Sequence, residues 1–232
     1  IGHQRLPCLY EAFHEQPTRH DPKLSPGGGE GPFCRLISSL STPNHIMKSP
    51  IRRALISVFH KEGLAPIIER LQAHGVEILS TGGTQKAIEA LGAEVTPVES
   101  VTQTAEMLGG RVKTLHPMVF GGILARRNFE ADDVDVAEHG IGPIDLVIVD
   151  LYPFEETLAS GAEEAEIVEK IDIGGIALIR AAAKNFKDVV CIPSRDQYAD
   201  LVEALSDGIG TDLDFRRRMA GAAFAVSSGY DA

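Results

Sequence analysis

The sequence predicts an α/β domain built on a parallel β-sheet with helices on both faces. Short runs rich in Val and Ile, typical of strands that are buried on both faces, alternate along the chain with helical stretches. A Gly-rich segment, STGGT (80–84), closes one of these runs and opens a helix. Hydrophobic residues make up 44% of the 232 residues, which is enough for a sizeable core. We expect this domain to occupy residues 47–232.

Four apolar runs bounded by polar residues or glycines are predicted as strands, at 52–59, 76–81, 145–152 and 188–193. The intervening helical patterns are predicted at 63–75, 84–92, 175–186 and 195–205. Alternation of strand and helix indicates a parallel sheet covered on both faces. In such sheets ligands bind outside the carboxyl ends of the strands, so the residues that follow each strand are the candidates for function.

Residues 1–46 have a different composition from the rest of the chain. They contain the Gly-rich stretch SPGGGEGP (25–32) and show no sustained helical or strand periodicity. This composition predicts a disordered or non-native extension, with a regulatory tail as the alternative. Met47, just before the first strand-like run, is the expected natural start of the domain, and the chain as given is expected to be a fragment.

Charge and cysteine content exclude several classes of function. A formal net charge of -11 argues against a nucleic-acid partner. No apolar run approaches the roughly 20 residues that span a bilayer, and no signal-peptide pattern is present. The three cysteines, Cys8, Cys34 and Cys191, are too few and too widely spaced for a disulfide framework or a zinc site. We therefore expect a cytoplasmic protein with no membrane, nucleic-acid or metal partner.

The segment STGGT is a candidate phosphate site. The glycines let the backbone approach a ligand closely, and the start of a helix offers N–H groups and the positive end of the helix dipole. Hydroxyls from Thr81 and Thr84 add to these donors. The segment lacks the lysine of a Walker loop and the spacing of a dinucleotide-binding motif. A Gly-rich helix start without any ligand is an equally good interpretation of this segment alone.

A second segment, GGRVKTLHP (109–117), concentrates positive charge in an acidic chain. Arg111 can make a forked contact with a phosphate, Lys113 adds a point charge and Thr114 adds a donor. Pro117 is expected to end the regular backbone structure of this segment. A solvated basic loop is the alternative, but together with STGGT the segment predicts one wall of an anion site.

Two more segments cluster functional groups. VDLYPF (149–154) ends a strand with Asp150 and Tyr152, and Asp172 stands just before a Gly-Gly helix start with Lys184 twelve residues later. Each residue also has a structural interpretation. Asp172 can serve as a cap beside the helix dipole, Lys184 as a surface lysine, and Tyr152 as a core residue with its hydroxyl at the rim.

The four segments GGRVKTLHP, LYPF, IDIGG and RAAAKN, in this order and at these spacings, resemble the IMP cyclohydrolase domain of the bifunctional purine biosynthesis protein family. The resemblance runs from about Arg52 to the end of the chain. It implies a methylglyoxal-synthase-like fold and a homodimer. In that family an AICAR formyltransferase domain follows the cyclohydrolase domain, and the resemblance implies that this second domain lies outside the given chain.

The resemblance implies that the substrate is a small-molecule nucleotide, FAICAR, which closes its second ring and loses water to give IMP, without a metal or redox cofactor. In this reaction the carboxamide nitrogen attacks the formyl carbon, so a proton acceptor and a cation for the developing oxyanion are needed. By resemblance, Lys113 stabilises the transition state and Lys184 donates and accepts a proton, with Asp172 as its partner. Tyr152 is expected to contact the reacting edge.

The resemblance also implies a set of substrate-binding residues. The residues expected around the phosphate are Ser57, Lys61, Thr81, Gly82, Gly83, Thr84, Arg111, Val112 and Thr114. The residues expected around the base are Asp150, Ile173 and Gly174. Two positions depart from the family pattern, since Phe59 stands where a second serine is frequent and Asp150 where asparagine is common. An amide can donate and accept a hydrogen bond, whereas an ionised carboxylate only accepts.

Two other functions remain open for a chain with this pattern. Methylglyoxal synthase shares the fold and a Gly-Thr phosphate loop, although IDIGG and RAAAKN have no place in it. A non-catalytic allosteric module, such as the one that closes carbamoyl phosphate synthetase, would keep the phosphate site without needing Lys113, Asp172 and Lys184 together.

Overall fold

A computed structural model describes residues 48–230 of the chain. The predicted extension over residues 1–46 lies outside this range. The strands, in chain order, are β1 (Ser49–Pro50), β2 (Arg53–Val58), β3 (Glu77–Ser80), β4 (Thr96–Pro97), β5 (Leu146–Asp150), β6 (Val190–Ile192) and β7 (Gly210–Thr211). The first and last of these pair with each other in a short antiparallel ribbon, and the other five form the main sheet.

The main sheet is parallel throughout, with the spatial order β4-β3-β2-β5-β6. This confirms the predicted α/β class. The chain moves outward from β2 in one direction through β3 and β4, and in the other through β5 and β6. The carboxyl ends of β2 and β5 therefore flank the switch point of the sheet, which is where open α/β sheets bind their ligands.

Ten α-helices surround the strands within the described residues: α1 (Ala65–Ala73), α2 (Gly82–Ala90), α3 (Val98–Thr102), α4 (Pro117–Leu124), α5 (Glu130–His139), α6 (Phe154–Ala159), α7 (Glu164–Glu169), α8 (Gly174–Lys184), α9 (Tyr198–Ala204) and α10 (Leu213–Tyr230). Short 3₁₀ turns lie at Leu108–Gly110 and Arg195–Gln197. No helix within residues 48–230 is long and apolar enough to cross a membrane.

The helices cover both faces of the sheet because alternate strand residues point to opposite sides. Ala54, Ile56 and Val58 of β2 pack into one core with α1, α2 and α9. The intervening residue Leu55 packs into a second core with α4 and α8. Helix α10 contributes buried side chains to both cores. The near-continuous apolar strands read from the sequence follow from this two-sided burial.

The structure differs from the sequence prediction at several boundaries. Helix α2 begins at Gly82, two residues before the predicted start. Pro117 begins α4 instead of interrupting the chain, with the Nδ1 of His116 accepting the N–H of Met118 at 3.2 Å to cap the helix. A proline is well tolerated there because the first-turn N–H groups have no partner within the helix. The two-residue strands β1, β4 and β7 and the helices α3, α4, α5, α6, α7 and α10 were not predicted.

Candidate functional site

A cavity of about 660 Å³ opens at the carboxyl ends of β2, β3 and β5. This volume is in the range of small-molecule pockets. Its lining contains most of the predicted site, namely Ser57, Lys61, Thr81, Gly82, Gly83, Thr84, Arg111, Lys113, Thr114, Asp150, Tyr152, Asp172, Ile173 and Gly174. Two predicted residues, Val112 and Lys184, are not part of the lining.

The N-terminus of α2 forms one end of the cavity. Thr81 is extended and its side chain does not cap the helix; instead its hydroxyl donates to Glu99 at 3.2 Å. The hydroxyl of Thr84 donates to the Val58 carbonyl at 2.9 Å and accepts from the Val58 N–H at 3.1 Å. Thr84 therefore ties the helix to β2, and its hydroxyl is not the free ligand donor that the sequence predicted. The first-turn N–H groups and the helix dipole remain available to an anion.

The loop that carries Lys113 folds back on itself beside this helix end. Met107 and Val112 exchange two backbone hydrogen bonds, at 3.0 and 3.3 Å, and this accounts for the position of Val112 outside the cavity. Gly110 has a φ of +91°, and a Cβ there would lie 2.8 Å from the Cε of Lys113. Glycine is favoured at this position because of its positive φ, while a larger residue would also push the end of the Lys113 side chain aside.

The ammonium group of Lys113 lies at the mouth of the α2 N-terminus. Its Nζ is 2.9 Å from the Oε2 of Glu106 and 3.5 Å from the place that a Cβ on Gly82 would take. The side chain is 29% exposed, so its charge is partly shielded from water. The helix dipole and this ammonium group together make a positive pole at one end of the cavity.

Arg111 forms an ion pair with Glu169, the last residue of α7. Hydrogen bonding to the carboxylate raises the pKa of Arg111, and the guanidinium lowers the pKa of Glu169. The two side chains are 62% and 57% exposed, and ion pairs this exposed contribute little free energy. A phosphate can therefore exchange with Glu169 on the guanidinium at small cost.

The N-terminus of α8 forms a second helix end in the cavity. The Oδ1 of Asp172 accepts the N–H of Gly175 at 2.6 Å, and a Cβ on Gly175 would lie 2.7 Å from Oδ2. Burial raises the pKa of Asp172, and the hydrogen bonds from Gly175 and from the Tyr152 backbone oppose that shift. The hydroxyl of Tyr230 accepts the backbone N–H of Asp172 at 2.8 Å and so holds the backbone of this residue from the side of α10.

Lys184 lies at the opposite end of α8 from Asp172. The helix runs for 11 residues from Gly174 to Lys184, which corresponds to about 16 Å along its axis. Lys184 is exposed, and the structure does not bring it into the cavity or next to Asp172 within this chain. The predicted proton relay between these two residues is therefore not assembled here, because a rigid helix separates them.

The carboxyl end of β2 supplies the floor of the cavity. The Nζ of Lys61 donates to the carbonyl of Val58 and, at 2.6 Å, to that of Phe59. Burial lowers the pKa of Lys61, while Asp150 and Glu62 act in the opposite direction. Lys61 thus closes the turn after β2 and adds positive charge beneath the cavity.

The rings of Phe59 and Tyr152, a contact that the sequence did not predict, border the other end of the cavity. They meet edge to face, with centroids 5.4 Å apart. The Nζ of Lys170 lies 5.5 Å from the Phe59 ring and 5.8 Å from the Tyr152 ring. Such distances allow a cation–π contact with both rings. Lys170 stands immediately before IDIGG, and this adjacency is the signal by which the sequence could have drawn attention to it.

The charged groups around the cavity suit an anionic organic ligand. Arg111, Lys113 and Lys61 are positive and the first residues of α2 and α8 line the cavity, while Asp150, Glu169 and Asp172 add negative charge to the same lining. Over residues 48–230, no group of three or more His, Cys, Asp or Glu side chains is arranged to hold a metal ion. The arrangement can bind a phosphate at α2 and hold a polar ring near α8 and β5.

Comparison with known proteins places this fold. Residues 63–177 match the family model of the MGS-like domain, and residues 182–232 match that of the AICARFT/IMPCHase bienzyme. The chain belongs to the AICARFT/IMPCHase bienzyme family. Its methylglyoxal-synthase-like fold and its family resemblance are thereby confirmed. The bienzyme match includes Lys184 and α10, outside the MGS-like region.

Relatives of this family extend beyond the given chain. A bifunctional purine biosynthesis protein PurH from Bacteroides thetaiotaomicron is 58% identical over 182 residues, which cover 78% of this chain but 36% of that protein. A PurH from Jannaschia sp. is 50% identical over 188 residues, covering 79% of this chain and 35% of that one. The chain therefore spans about a third of the length of these curated relatives.

A solved structure supports the same assignment. The crystal structure of ForH has a TM-score of 0.67 and 36% sequence identity to this chain, covering 77% of this chain and 92% of ForH. ForH therefore shares the architecture described above.

Proposed function

We propose that this domain is an IMP cyclohydrolase, which closes FAICAR to IMP with loss of water. The observation that carries the proposal is the joint presence in one cavity of a positive helix end with Lys113 and Arg111, and of Asp172 with Tyr152 across from them. Membership of the bienzyme family supports the same reaction. The bienzyme match also favours it over a methylglyoxal synthase or a non-catalytic phosphate-binding module.

The nucleotide phosphate binds at the α2 N-terminus. The backbone N–H groups of Gly82 and Gly83 face it, and Arg111 leaves Glu169 to make a forked contact. Thr114 supports the ligand from the side of α8, since its Oγ1 lies 3.3 Å from the place of a Cβ on Gly174. Ser57 and Lys61 complete this end.

Ring closure takes place at the end of the cavity near α8 and β5. The carboxamide nitrogen attacks the formyl carbon and loses a proton, and the carbonyl electron pair moves to the formyl oxygen. That oxygen takes up one proton to give a hydroxyl group and a second proton to leave as water, while the former formamido nitrogen releases its proton and forms the new C=N bond, so that the two protons lost by the nitrogens balance the two taken up by the oxygen. Asp172 and Tyr152 contact the reacting groups. The role that the resemblance assigns to Lys113, stabilisation of the developing oxyanion, requires its ammonium group to leave Glu106 and swing from the α2 N-terminus toward the base. Ile173 and Gly174 hold the base through their backbone.

Three further statements belong to the proposal. The proton-transfer role that the resemblance assigns to Lys184 stays a prediction. The complete protein also carries AICAR formyltransferase activity, a proposal that the bienzyme family match supports. The protein acts in the cytoplasm as a homodimer, and sedimentation of the purified chain would test the second part of this statement.

Conversion of FAICAR to IMP by the purified chain, followed by absorbance, tests the proposal. We expect saturable turnover without added metal and an unchanged rate in the presence of a chelator. Tight binding of IMP without any turnover would favour the non-catalytic module instead. Formation of methylglyoxal from dihydroxyacetone phosphate would favour a methylglyoxal synthase.

A further inference from the structure

A carboxylate–imidazole pair lies at the switch point of the sheet. The Oδ2 of Asp150, the last residue of β5, accepts the backbone N–H of His60 at 2.8 Å and the Nδ1 of His60 at 2.7 Å. His60 follows β2, and Val58 of that strand is the register partner of Asp150. Within residues 48–230, the hydrogen bonds to this carboxylate all end on Oδ2, which leaves Oδ1 for a ligand.

The pair lies across the cavity from the phosphate cradle. Asp150 lines the cavity at the end of β5, whereas the cradle follows β3, and β2 runs between those two strands. Two strand spacings separate them, or about 10 Å. A nucleotide whose phosphate is bound at α2 therefore extends its base toward Asp150 and Tyr152.

The surroundings hold His60 in place. Its ring meets Phe59 edge to face at 4.8 Å. Charged and titratable groups face the pair from each neighbouring element: Glu62 and Lys61 after β2, Arg195 and Tyr198 at the start of α9, and Lys170 beyond the Phe59 ring. The imidazole is thus packed and oriented, with its Nδ1 directed at Asp150.

We propose that Asp150, positioned by His60, selects bases that carry an N–H on the reacting nitrogen. This inference rests on the proposed function, because it places the reacting edge of the base at Asp150. A carboxylate only accepts hydrogen bonds, so it binds an N–H and repels a bare ring nitrogen. The attacking carboxamide nitrogen of FAICAR carries N–H groups, and in IMP the same atom is the ring N1–H. His60 acts as a positioning residue, and Asp150 as the group that contacts the substrate.

The proposal gives a role to the histidine that stands beside Asp150, a position where asparagine is common in the family that the sequence resembles. An Asn at position 150 would present either its oxygen or its NH₂ group to the base, and so would discriminate less sharply. The Nδ1 and the backbone N–H of His60 both bind Oδ2, which orients the plane of the carboxylate and leaves Oδ1 without a donor among residues 48–230. Because the carboxylate is already held in this way, it loses little rotational freedom when the base binds.

Binding of two nucleotides to Asp150→Asn tests the selectivity. The probes are IMP and purine riboside 5′-monophosphate, which keeps the phosphate, ribose and ring system but has a bare N1 and no 6-oxo group, so the change in the ratio between wild type and Asp150→Asn is the measured quantity. We expect wild type to prefer IMP by at least about tenfold in Kd, as a lost pairing with a buried polar group predicts. In Asp150→Asn, whose amide can donate to a bare N1, this ratio should fall by about tenfold. An unchanged ratio in the folded variant would overturn the proposal.

Two substitutions of His60 test its positioning role. The side-chain amide of Asn can place its nitrogen where Nδ1 stands, whereas the amide of Gln places its nitrogen nearer to Nε2. We therefore expect His60→Asn to keep the IMP preference within about threefold. His60→Gln should lose most of it while both variants melt at similar temperatures. Equal loss in the two variants, or equal retention, would contradict a role through Nδ1.

Turnover adds a readout that a purely structural role would not move. In FAICAR assays His60→Gln should lower kcat by about tenfold or more with little change in KM, and His60→Asn should restore it. The two proposals fail separately. If wild type does not convert FAICAR, the proposed function is wrong, but the ratio of the two nucleotide affinities still tests Asp150. If FAICAR turnover is normal and the ratio of the two nucleotide Kd values is the same in wild type and Asp150→Asn, only the selectivity proposal is wrong.

Discussion

Asp172 accepts the N–H of Gly175 at 2.6 Å, so the carboxylate that lines the cavity is also the cap of α8. The same contact serves helix stability and, in the proposed reaction, orients a carboxylate toward the substrate. Burial raises the pKa of this carboxyl, which means that the folded state holds the ionised form at a cost.

This cost predicts a trade between stability and activity at Asp172. A group with a raised folded pKa contributes stability below its unfolded pKa, and this contribution is lost as pH rises through the folded pKa. Asp172→Asn keeps an oxygen for the Gly175 N–H but removes the charge. We expect the variant to gain melting temperature relative to wild type at pH 7 and to lose that gain near pH 3, with FAICAR turnover reduced by about 100-fold. Thermal melts across pH, compared with Asp196→Asn on the surface, would show this. A variant destabilised at every pH would contradict it.

Arg111 is predicted to supply a large share of the phosphate affinity. Arg111→Ala removes the forked contact, and we expect the Kd for IMP to rise by about 10- to 100-fold, or about 1.4–2.7 kcal/mol, with the fold intact. Arg126→Ala is the matched control, since Arg126 pairs with Asp132 at 2.7 Å away from the cavity. Titration calorimetry of both variants measures the difference. Unchanged affinity in Arg111→Ala would place the phosphate elsewhere.

Glu169 is predicted to compete with the nucleotide for Arg111. Replacing it by glutamine removes the negative charge that a phosphate must displace. We expect Glu169→Gln to bind IMP several-fold more tightly than wild type, and the gain should shrink at high salt because the pair is exposed. Glu164→Gln at the start of the same helix serves as the control for a general change in charge. Weaker binding in Glu169→Gln would mean that the carboxylate itself contacts the ligand.

The fold and much of the cavity could be predicted from sequence because the relevant signals are local. Apolar runs marked the four long strands, and Gly-Gly segments marked the starts of α2 and α8. Short two-residue strands such as β4 carry no readable period, and α6 and α7 are polar helices without buried residues. Their amphipathic pattern is therefore too weak to detect.

Side-chain pairing was the part that sequence could not give. Thr84 looked like a ligand donor, yet its hydroxyl is bound to the backbone of Val58, a residue of a neighbouring strand. His60 drew no attention, although it lies 2.7 Å from Asp150. Both contacts join residues that are far apart in sequence, and no local pattern encodes them. Lys184 was grouped with Asp172 by motif, and helix geometry then separated them.

Lys113 is predicted to act through its charge and position. Lys113→Met removes the cation near the α2 N-terminus, and we expect kcat to fall by about 100- to 1000-fold, as for loss of an oxyanion contact. Lys113→Arg keeps the charge but cannot place it identically, because Gly110 and Glu106 confine the Lys113 end group. Intermediate activity is therefore expected. Single-turnover assays that resolve ring closure from binding would measure both variants, and equal rates in Lys113→Met and wild type would remove Lys113 from the mechanism.

Lys184 offers the sharpest contrast between motif and geometry. The motif assigns it a proton-transfer role, in which Lys184→Arg should abolish turnover because a guanidinium does not release its proton. The structure instead places it about 16 Å along α8 from the cavity. If each site is built from one chain alone, this geometry predicts that Lys184→Arg retains turnover within about threefold of wild type across pH 6–9, with unchanged IMP binding. Lys187→Arg, another lysine beyond the same helix end, is the control. A loss of 100-fold or more confined to Lys184→Arg would mean that this lysine reaches a cavity other than that of its own chain, as a homodimer would allow. Mixing Lys184→Arg with an inactive Lys113→Met chain would then decide the point, because activity recovered in the mixture requires residues from two protomers.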